Sequence, residues 1–162
     1  MGKRWKFVKN DYLNCLKVLA KMKDIIVSTI TFDQDVYTNV EQKTPAQAIK
    51  QANNLVFGGG DTNYSKALDA MINCMEKVED KYKNYCNCFL FLSDGQGGYP
   101  EEGIKKINKL KEAGKKIICN TIAFSTEEDE DMMKMMKAVG GEHFNVSSED
   151  GAKEVFKQIL CI

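Results

Sequence analysis

Two loops of this chain combine polar side chains with flanking sequence that can position a ligand. The segment Phe89–Gly95 (FLFLSDG) is an apolar run that passes directly into Ser93 and Asp94. In open α/β sheets ligands bind beyond the strand ends, and a carboxylate there suits a divalent cation. The segment Gly58–Ser65 (GGGDTNYS) precedes a helix. Its glycines let a ligand approach the backbone, and the helix start offers free N–H groups.

Both loops also have structural interpretations that the sequence leaves open. The glycine run can be a turn that ends in a Thr or Asn helix cap, and Asp94 can be a turn or cap residue. A phosphate-binding loop is not favoured. The Gly-Lys-Ser/Thr of that motif is lacking, and no strand–loop–helix unit of the Walker type precedes the glycines.

Length and composition indicate one globular domain, residues 1–162, with a real core. Apolar residues make up 43% of the chain and charged residues 28%, which is ordinary for a domain of this size. The 23 basic and 23 acidic side chains balance. A nucleic-acid partner is therefore not expected, because such proteins usually carry a basic excess that neutralises phosphates.

The sequence contains no signal for a membrane. Its apolar runs are too short to span a bilayer, and the basic N-terminus has no apolar stretch behind it. We expect a cytoplasmic protein, unless an upstream segment has been removed. The six cysteines show no Cys-x-x-Cys pair, and only one histidine is present, so a zinc site is not expected. The cysteines are expected to be reduced and mostly buried.

Hydrophobic periodicity predicts an α/β order of elements. Helices are predicted over Lys3–Met22, over Pro45–Asn53, after Thr62 as far as Tyr82, over Pro100–Ala113, from a Ser125/Glu128 capping box to Val139, and after Ser147/Ser148. Strands are predicted over Ile25–Phe32, Val36–Val40, Cys86–Leu92, Lys116–Ala123 and Glu142–Val146. The first two strands are joined by a turn at Asp33 and Asp35, which favours a hairpin. The alternation that follows predicts a mostly parallel sheet with helices on both faces.

One further helix carries two notable patterns. The acidic run Glu127–Asp131 lies in its first turns, where the helix dipole stabilises negative charge. The four methionines at 132, 133, 135 and 136 form a face that we interpret as core packing.

The two loops, taken with the order of the elements, resemble the von Willebrand factor A family. Gly58–Leu68 (GGGDTNYSKAL) contains that family's Gly-Gly-x-Thr-x-x-x-x-Ala-Leu pattern, and Phe89–Gly95 matches its fourth-strand signature. The likeness continues in order through Ile118–Ser125 and Gly140–Val146 to the closing helix. It implies a doubly wound, mostly parallel, Rossmann-like sheet with helices on both faces and one antiparallel edge strand.

The resemblance also implies a metal-ion-dependent adhesion site (MIDAS). Thr62 and Asp94 match its second and third elements and are the metal ligands that it implies, with Mg²⁺ as the usual cation and a carboxylate of a partner protein completing the shell. The first element, Asp-x-Ser-x-Ser, is absent, so Mg²⁺ binding is expected to be weak or lost. The residues around the cation that could contact a ligand are Gly60, Asp61, Asn63, Tyr64, Gly95, Gln96 and Tyr99.

The strand that carries the absent element would be the N-terminal and central one, between Ile25–Phe32 and Cys86–Leu92. Its absence leaves two apolar strand edges open. Another segment can fill the gap, the two strands can pair directly, or a second copy can form a homodimer through the exposed edges. Because unpaired backbone groups are costly, we favour direct pairing.

The function that this resemblance implies is non-enzymatic binding of a partner protein through a bridging cation. One alternative is a metal-independent scaffold domain. Another is a magnesium-dependent phosphoryl-transfer enzyme that uses Asp94, but the sequence offers no loop with a converging lysine or second carboxylate. Fold class alone does not decide between them.

Overall fold

The computed structural model describes residues 2–52, 54–55, 61–93, 97–124 and 129–160. Gly60, Asp94, Gly95, Gln96 and the predicted Ser125/Glu128 capping box lie outside the described residues.

The described residues form α-helices and β-strands in the predicted order. The helices are α1 Gly2–Leu19, α2 Pro45–Ala52, α3 Tyr64–Glu76, α4 Glu101–Glu112, α5 Glu130–Val139 and α6 Glu149–Leu160. The strands are β1 Val27–Phe32, β2 Val36–Lys43, β3 Asn87–Ser93, β4 Ile117–Ala123 and β5 Glu142–Asn145. The architecture is mixed α/β, as the sequence predicts.

Two helix boundaries differ from expectation. Helix α3 ends at Glu76, where the N–H of Lys77 bonds to Asn73 O, so the predicted extension to Tyr82 is wrong. Tyr82 instead lies in a separate 3₁₀ turn, Asp80–Tyr82. Helix α5 begins at Glu130, and its N-cap is Asp129, whose side chain accepts from Met132 N. Among the described residues, the cap of α5 is therefore the carboxylate of Asp129.

The strands form two sheets. Strands β1 and β2 are an antiparallel hairpin, and the predicted turn is confirmed by the 2.8 Å bond from Asp35 N to Asp33 Oδ1. Strands β3, β4 and β5 form a parallel sheet in that order, with an unbroken register between β3 and β4.

Helices cover both faces of the parallel sheet. Phe89 and Phe91 pack on one face with residues of α3, α4 and α5. Met132, Met135 and Met136 belong to this cluster and are almost fully buried, whereas Met133 is half-buried, so three of the four methionines of the predicted face lie in the core. On the other face, Leu90 and Leu92 pack with residues of α1 and α6. Helix α1 also packs on α2 and β2 through Leu16, so it reaches across both sheets.

The expected direct pairing of the two apolar strands is wrong. No backbone hydrogen bond joins β1 to β3 within the described part of the chain, and the two sheets remain separate. They approach through side chains instead, since the rings of Phe32 and Phe91 lie 4.9 Å apart.

Two more expectations concern the surface. The expectation of mostly buried cysteines is wrong. Among the described cysteines, Cys119 is buried, Cys15 and Cys74 are half-buried, and Cys86 and Cys88 are exposed, because β3 has an uncovered start. In the ranges that the structure describes, no helix has the length and apolar content needed to cross a membrane.

Candidate functional site

The loop that carries Thr62 is held against the end of β1. The N–H of Asn63 donates to Asp33 O at 3.0 Å, and the side chain of Asn63 caps α3 by accepting from Lys66 N at 2.9 Å. The Lys66 ammonium then donates to Gln34 O at 2.7 Å. Thr62 is half-buried and Asp61 is exposed. The hydrogen bonds of Asn63 therefore fix the end of this loop, where Asp61 is open to solvent and Thr62 partly so.

Tyr64 begins α3 and has a fully buried side chain. Its N–H donates to Gly97 O at 3.2 Å, and a Cβ built on Gly97 would stand 2.2 Å from Cδ1 of the Tyr64 ring. Only glycine allows this approach, so position 97 holds the loop after β3 directly on the tyrosine. Although Tyr64 was expected to contact a ligand, its hydroxyl acts inside the protein.

The hydroxyl of Tyr64 joins two further elements. It donates to Oδ2 of Asp129 at 2.5 Å. The phenolic oxygen of Tyr64 also lies 3.1 Å from Oγ of Ser93. The other carboxylate oxygen of Asp129 accepts from Met132 N at 3.0 Å and so caps α5. Ser93 and Asp129 are themselves buried. The start of α3, the end of β3 and the start of α5 thus meet at one phenolic oxygen.

Electrostatics keep this tyrosine in its neutral form. Burial raises the pKa of Tyr64 far above its usual value, and the hydrogen bond to Asp129 raises it further. The ring packs edge-on against Phe91 at 5.2 Å and against Phe32 at 6.4 Å. Tyr64 therefore remains a hydrogen-bond donor throughout the physiological pH range.

This cluster connects the neighbours of both predicted metal ligands. Thr62 stands two residues before Tyr64, and Asp94 follows Ser93 directly. Tyr99, also a candidate contact, is 41% exposed. The hydrogen bonds of Asn63 to Asp33 and of Tyr64 to Ser93 therefore place these two residues at the carboxyl ends of β1 and β3.

The donors within the described residues do not make a metal site by themselves. In that part of the chain no three His, Cys, Asp or Glu side chains are grouped so that they could hold a metal ion. Thr62 offers one hydroxyl oxygen, and the carboxylate of Asp129 is already occupied by Tyr64 and Met132. A cation here would depend on Asp94, water and a partner.

Ser93 and Asp129 belong to the hydrogen-bonded cluster at the site, but local sequence patterns did not predict a role for either residue. Asp129 belongs to the acidic run that was explained by the helix dipole, and Ser93 stood beside the more conspicuous Asp94. The missing signal was burial, since a carboxylate that is 5% exposed needs hydrogen-bond donors.

Comparison with known proteins identifies solved structures of similar fold. No family model and no curated protein matches the chain. Among solved structures, an aerotolerance-related membrane protein from Bacteroides fragilis NCTC 9343 is 13% identical, with a TM-score of 0.70 over 98% of this chain and 89% of that one. The conserved hypothetical protein BatB from Bacteroides thetaiotaomicron is 12% identical, with a TM-score of 0.69 over 96% and 86%.

Proximal thread matrix protein 1 from the mussel byssus is a third similar structure. In the form with a zinc-occupied MIDAS motif it is 14% identical, with a TM-score of 0.70 over 99% of this chain. This chain spans 43% of that protein's length. At these identities the likeness establishes a shared fold only, and the activity has to be inferred from the residues of the site.

Proposed function

We propose that this chain, which has a von Willebrand factor A-like fold, is a non-enzymatic module that binds a partner protein. The contact would be made at the carboxyl edge of the strands, through a divalent cation that Thr62 and Asp94 hold from the protein side. A carboxylate of the partner would complete the coordination. Mg²⁺ is the cation that this oxygen chemistry favours.

The observation that carries the proposal is the hydrogen-bonded link from Tyr64 to Ser93. Thr62 and Asp94 lie 32 positions apart in the sequence, and the link joins Tyr64, two residues after Thr62, to Ser93, which directly precedes Asp94. Because the tyrosine is buried and its partners are buried too, the link is rigid. Such a rigid support holds the two loops close together, and the ligand oxygens of Thr62 and Asp94 take no part in it.

The chain's own residues have separable tasks in this proposal. The hydroxyl of Thr62 and the carboxylate of Asp94 supply oxygens, while Tyr64 and Gly97 hold the two loops together. When bound, the cation would supply positive charge that attracts a carboxylate. With only two protein ligands the cation would bind weakly until the partner arrives.

Binding is favoured over catalysis by the state of the buried groups. Tyr64 has a raised pKa, so it keeps its proton and is too weak an acid to donate it, and Asp129 is committed to capping α5. General acid–base chemistry needs a group whose pKa lies near the working pH and whose lone pair is accessible. The described side chains of this cluster act as structural supports instead.

The proposal is tested with Mn²⁺ as a paramagnetic substitute for Mg²⁺ on the ¹⁵N-labelled chain. Amide signals of Asp61, Thr62 and Gly97 should broaden first, and Mg²⁺ should reverse the effect by competition. Asp94→Ala and the isosteric Thr62→Val should abolish it. Asp80→Ala removes an exposed carboxylate of the 3₁₀ turn and should leave it unchanged.

A peptide with a single glutamate, acetyl-Gly-Glu-Gly-amide, tests the partner's part. In Mg²⁺ it should shift the same signals, and EDTA or replacement of its glutamate by glutamine should remove the shifts. Peptide binding that persists in EDTA would favour the metal-independent scaffold. Turnover of a phosphoryl donor that depends on Asp94 would favour the enzyme.

A further inference from the structure

The two carboxylate oxygens of Asp129 make two different hydrogen bonds. Oδ1 accepts from Met132 N at 3.0 Å and caps α5, and Oδ2 accepts from the hydroxyl of Tyr64 at 2.5 Å. A cap needs only the first bond, and serine or asparagine would serve there equally well. The second bond is therefore not explained by the cap, and it connects the start of α5 to the residue that stands two positions after Thr62.

The bond to Asp129 also sets the direction of the hydrogen bond between Tyr64 and Ser93. A phenol has one proton and a carboxylate can only accept, so the short, charge-assisted bond to Asp129 takes that proton. The hydroxyl of Ser93, 3.1 Å away, is then the donor to Tyr64. The pKa of Tyr64 agrees with this order, because the bond to Asp129 raises it and the bond to Ser93 lowers it. The hydrogen bonds therefore run from Ser93 through Tyr64 to Asp129.

The backbone of Tyr64 is fixed as firmly as its hydroxyl. Its N–H donates to Gly97 O at 3.2 Å, and its ring lies so close to Gly97 that a Cβ there would not fit. The N–H of the preceding residue, Asn63, donates to Asp33 O. Because the ring is fully buried against Gly97, a shift of its hydroxyl end would move the backbone next to Thr62 relative to the loop after β3.

The bond to Asp129 is the strongest of these anchors. Tyr64 is fully buried and Asp129 is 5% exposed, so water does not compete for either group. A hydrogen bond to a charged acceptor is also about twice as strong as one between neutral groups. Loss of this acceptor would release the hydroxyl end of the ring, and replacement of the acceptor by a donor would reverse the bond to Ser93.

We propose that Asp129 is a positioning residue of the cation site, which acts through Tyr64 to hold Thr62 at the spacing from the loop after β3 at which both loops reach one ion. This inference rests on the proposed function and goes beyond it. It assigns to a residue of α5 an effect on the affinity of a site whose ligands lie on two other loops.

Asp129→Asn tests the bond while it keeps the shape of the side chain. Asparagine still caps α5 through its oxygen, but its N–H₂ group then faces the tyrosine, so Tyr64 must donate to Ser93 instead. In EDTA, the ¹³Cζ signal of Tyr64 should titrate at a lower pH than in the wild-type chain, because its phenolate would accept a hydrogen bond and face no negative charge. The amide of Tyr64, bonded to Gly97, should exchange at least about tenfold faster, while that of Met132 stays protected. Unchanged exchange of the Tyr64 amide would overturn the inference and leave the cation site untouched.

The cation arm uses Mn²⁺ on the same ¹⁵N-labelled chains. The Mn²⁺ concentration that half-broadens the Thr62 amide should rise about tenfold in Asp129→Asn, as is usual when a residue that orients a ligand is changed. Glu130→Gln removes an exposed charge from the same turn of α5 and should leave that concentration unchanged. Wild-type affinity in Asp129→Asn, despite an altered titration of Tyr64, would show that Asp129 only caps α5. Absence of broadening in the wild-type chain, with faster exchange in the variant, would overturn the proposed function instead.

A double variant tests whether Asp129 acts through the tyrosine. Tyr64→Phe removes the hydroxyl and should weaken Mn²⁺ binding as much as Asp129→Asn does. If both act on one bond, the two substitutions together should weaken binding no further than the stronger one, whereas independent effects would multiply. Multiplied effects would mean that Asp129 influences the site by another route, and the inference would fail. If Asp129→Asn does not fold, Tyr64→Phe decides alone, and wild-type Mn²⁺ affinity in that variant would overturn the inference.

Discussion

The phenolic oxygen of Tyr64 lies 2.5 Å from Oδ2 of Asp129, a residue 65 positions further along the chain. The same carboxylate caps α5 through its other oxygen, so one buried group ends a helix and fixes a tyrosine. Because Tyr64 also approaches Ser93, the bond connects the support of both predicted metal ligands to the packing of α5. The site and the core therefore share one hydrogen-bond network.

Tyr64→Phe tests the strength of that network. The substitution keeps the ring but leaves Asp129 Oδ2 and Ser93 Oγ without the phenol, and a buried polar group that loses its partner costs about 1–3 kcal/mol. We expect a loss of unfolding free energy in this range, measured by urea denaturation. Tyr82→Phe, in the half-exposed 3₁₀ turn, is the matched control and should change stability by less than about 0.5 kcal/mol. Equal midpoints for the two variants would contradict the role given to Tyr64.

The same tyrosine predicts a pH dependence. Its pKa is raised in the folded state from an ordinary value of 10.0, so its contribution to stability is complete below pH 10 and is lost as the pH rises toward the folded-state pKa. The stability difference between the wild-type chain and Tyr64→Phe should therefore shrink by about 1.4 kcal/mol between pH 9 and pH 11. A difference that stays constant over this interval would show that Tyr64 ionises normally in the folded chain.

The elements that sequence predicted well are those whose signal is local. The run Ile117–Ala123 (IICNTIA) is mostly apolar and rich in β-branched residues, and the predicted limits differ from those of β4 by a single residue. The methionine face of α5 was predicted as core from its spacing alone. Runs and periodic spacings of apolar residues predict burial directly, because a buried strand or helix face is mostly apolar.

The parts that sequence did not predict depend on distant residues. The bond between Tyr64 and Asp129 has no local signature, and the acidic run around Asp129 satisfies a simpler explanation equally well. The pairing of β1 with β3 was expected from the cost of open edges, but the two strands belong to separate sheets. Which strands become neighbours depends on the packing of the whole fold, which spacing along the chain does not reveal.

Cysteine reactivity should follow exposure and pKa. Burial raises the pKa of Cys119 to about 11 and that of Cys15 to about 12, and the thiolate is the reactive form. Cys86 is exposed, so we expect native-state alkylation at pH 8 to label it first and Cys119 and Cys15 last, by peptide mass spectrometry. Labelling of Cys119 as fast as Cys86 would mean that β4 opens readily in solution.

The redox state of the cysteines is a separate prediction. We expect six free thiols, because the sequence has no Cys-x-x-Cys pair and no metal-ligand spacing. Alkylation of the unreduced, denatured chain should add six groups to the intact mass. An intact mass that is two labels short would reveal a disulfide and would argue against the expected cytoplasmic location.

Magnesium affinity gives the last prediction. Thr62 and Asp94 supply about two of the six or so oxygens that a hard divalent cation requires, so the chain without a partner should bind Mg²⁺ no more tightly than about 1 mM. At this affinity 10 mM MgCl₂ raises the unfolding free energy by at most about 1.4 kcal/mol, since the gain follows the logarithm of the ratio of ligand concentration to Kd. Urea unfolding with and without MgCl₂ measures this gain, and Asp94→Ala should remove it while Asp80→Ala, which changes an exposed carboxylate, should retain it. Micromolar affinity by calorimetry would mean that further ligands reach the cation, and the two-ligand site would then be wrong.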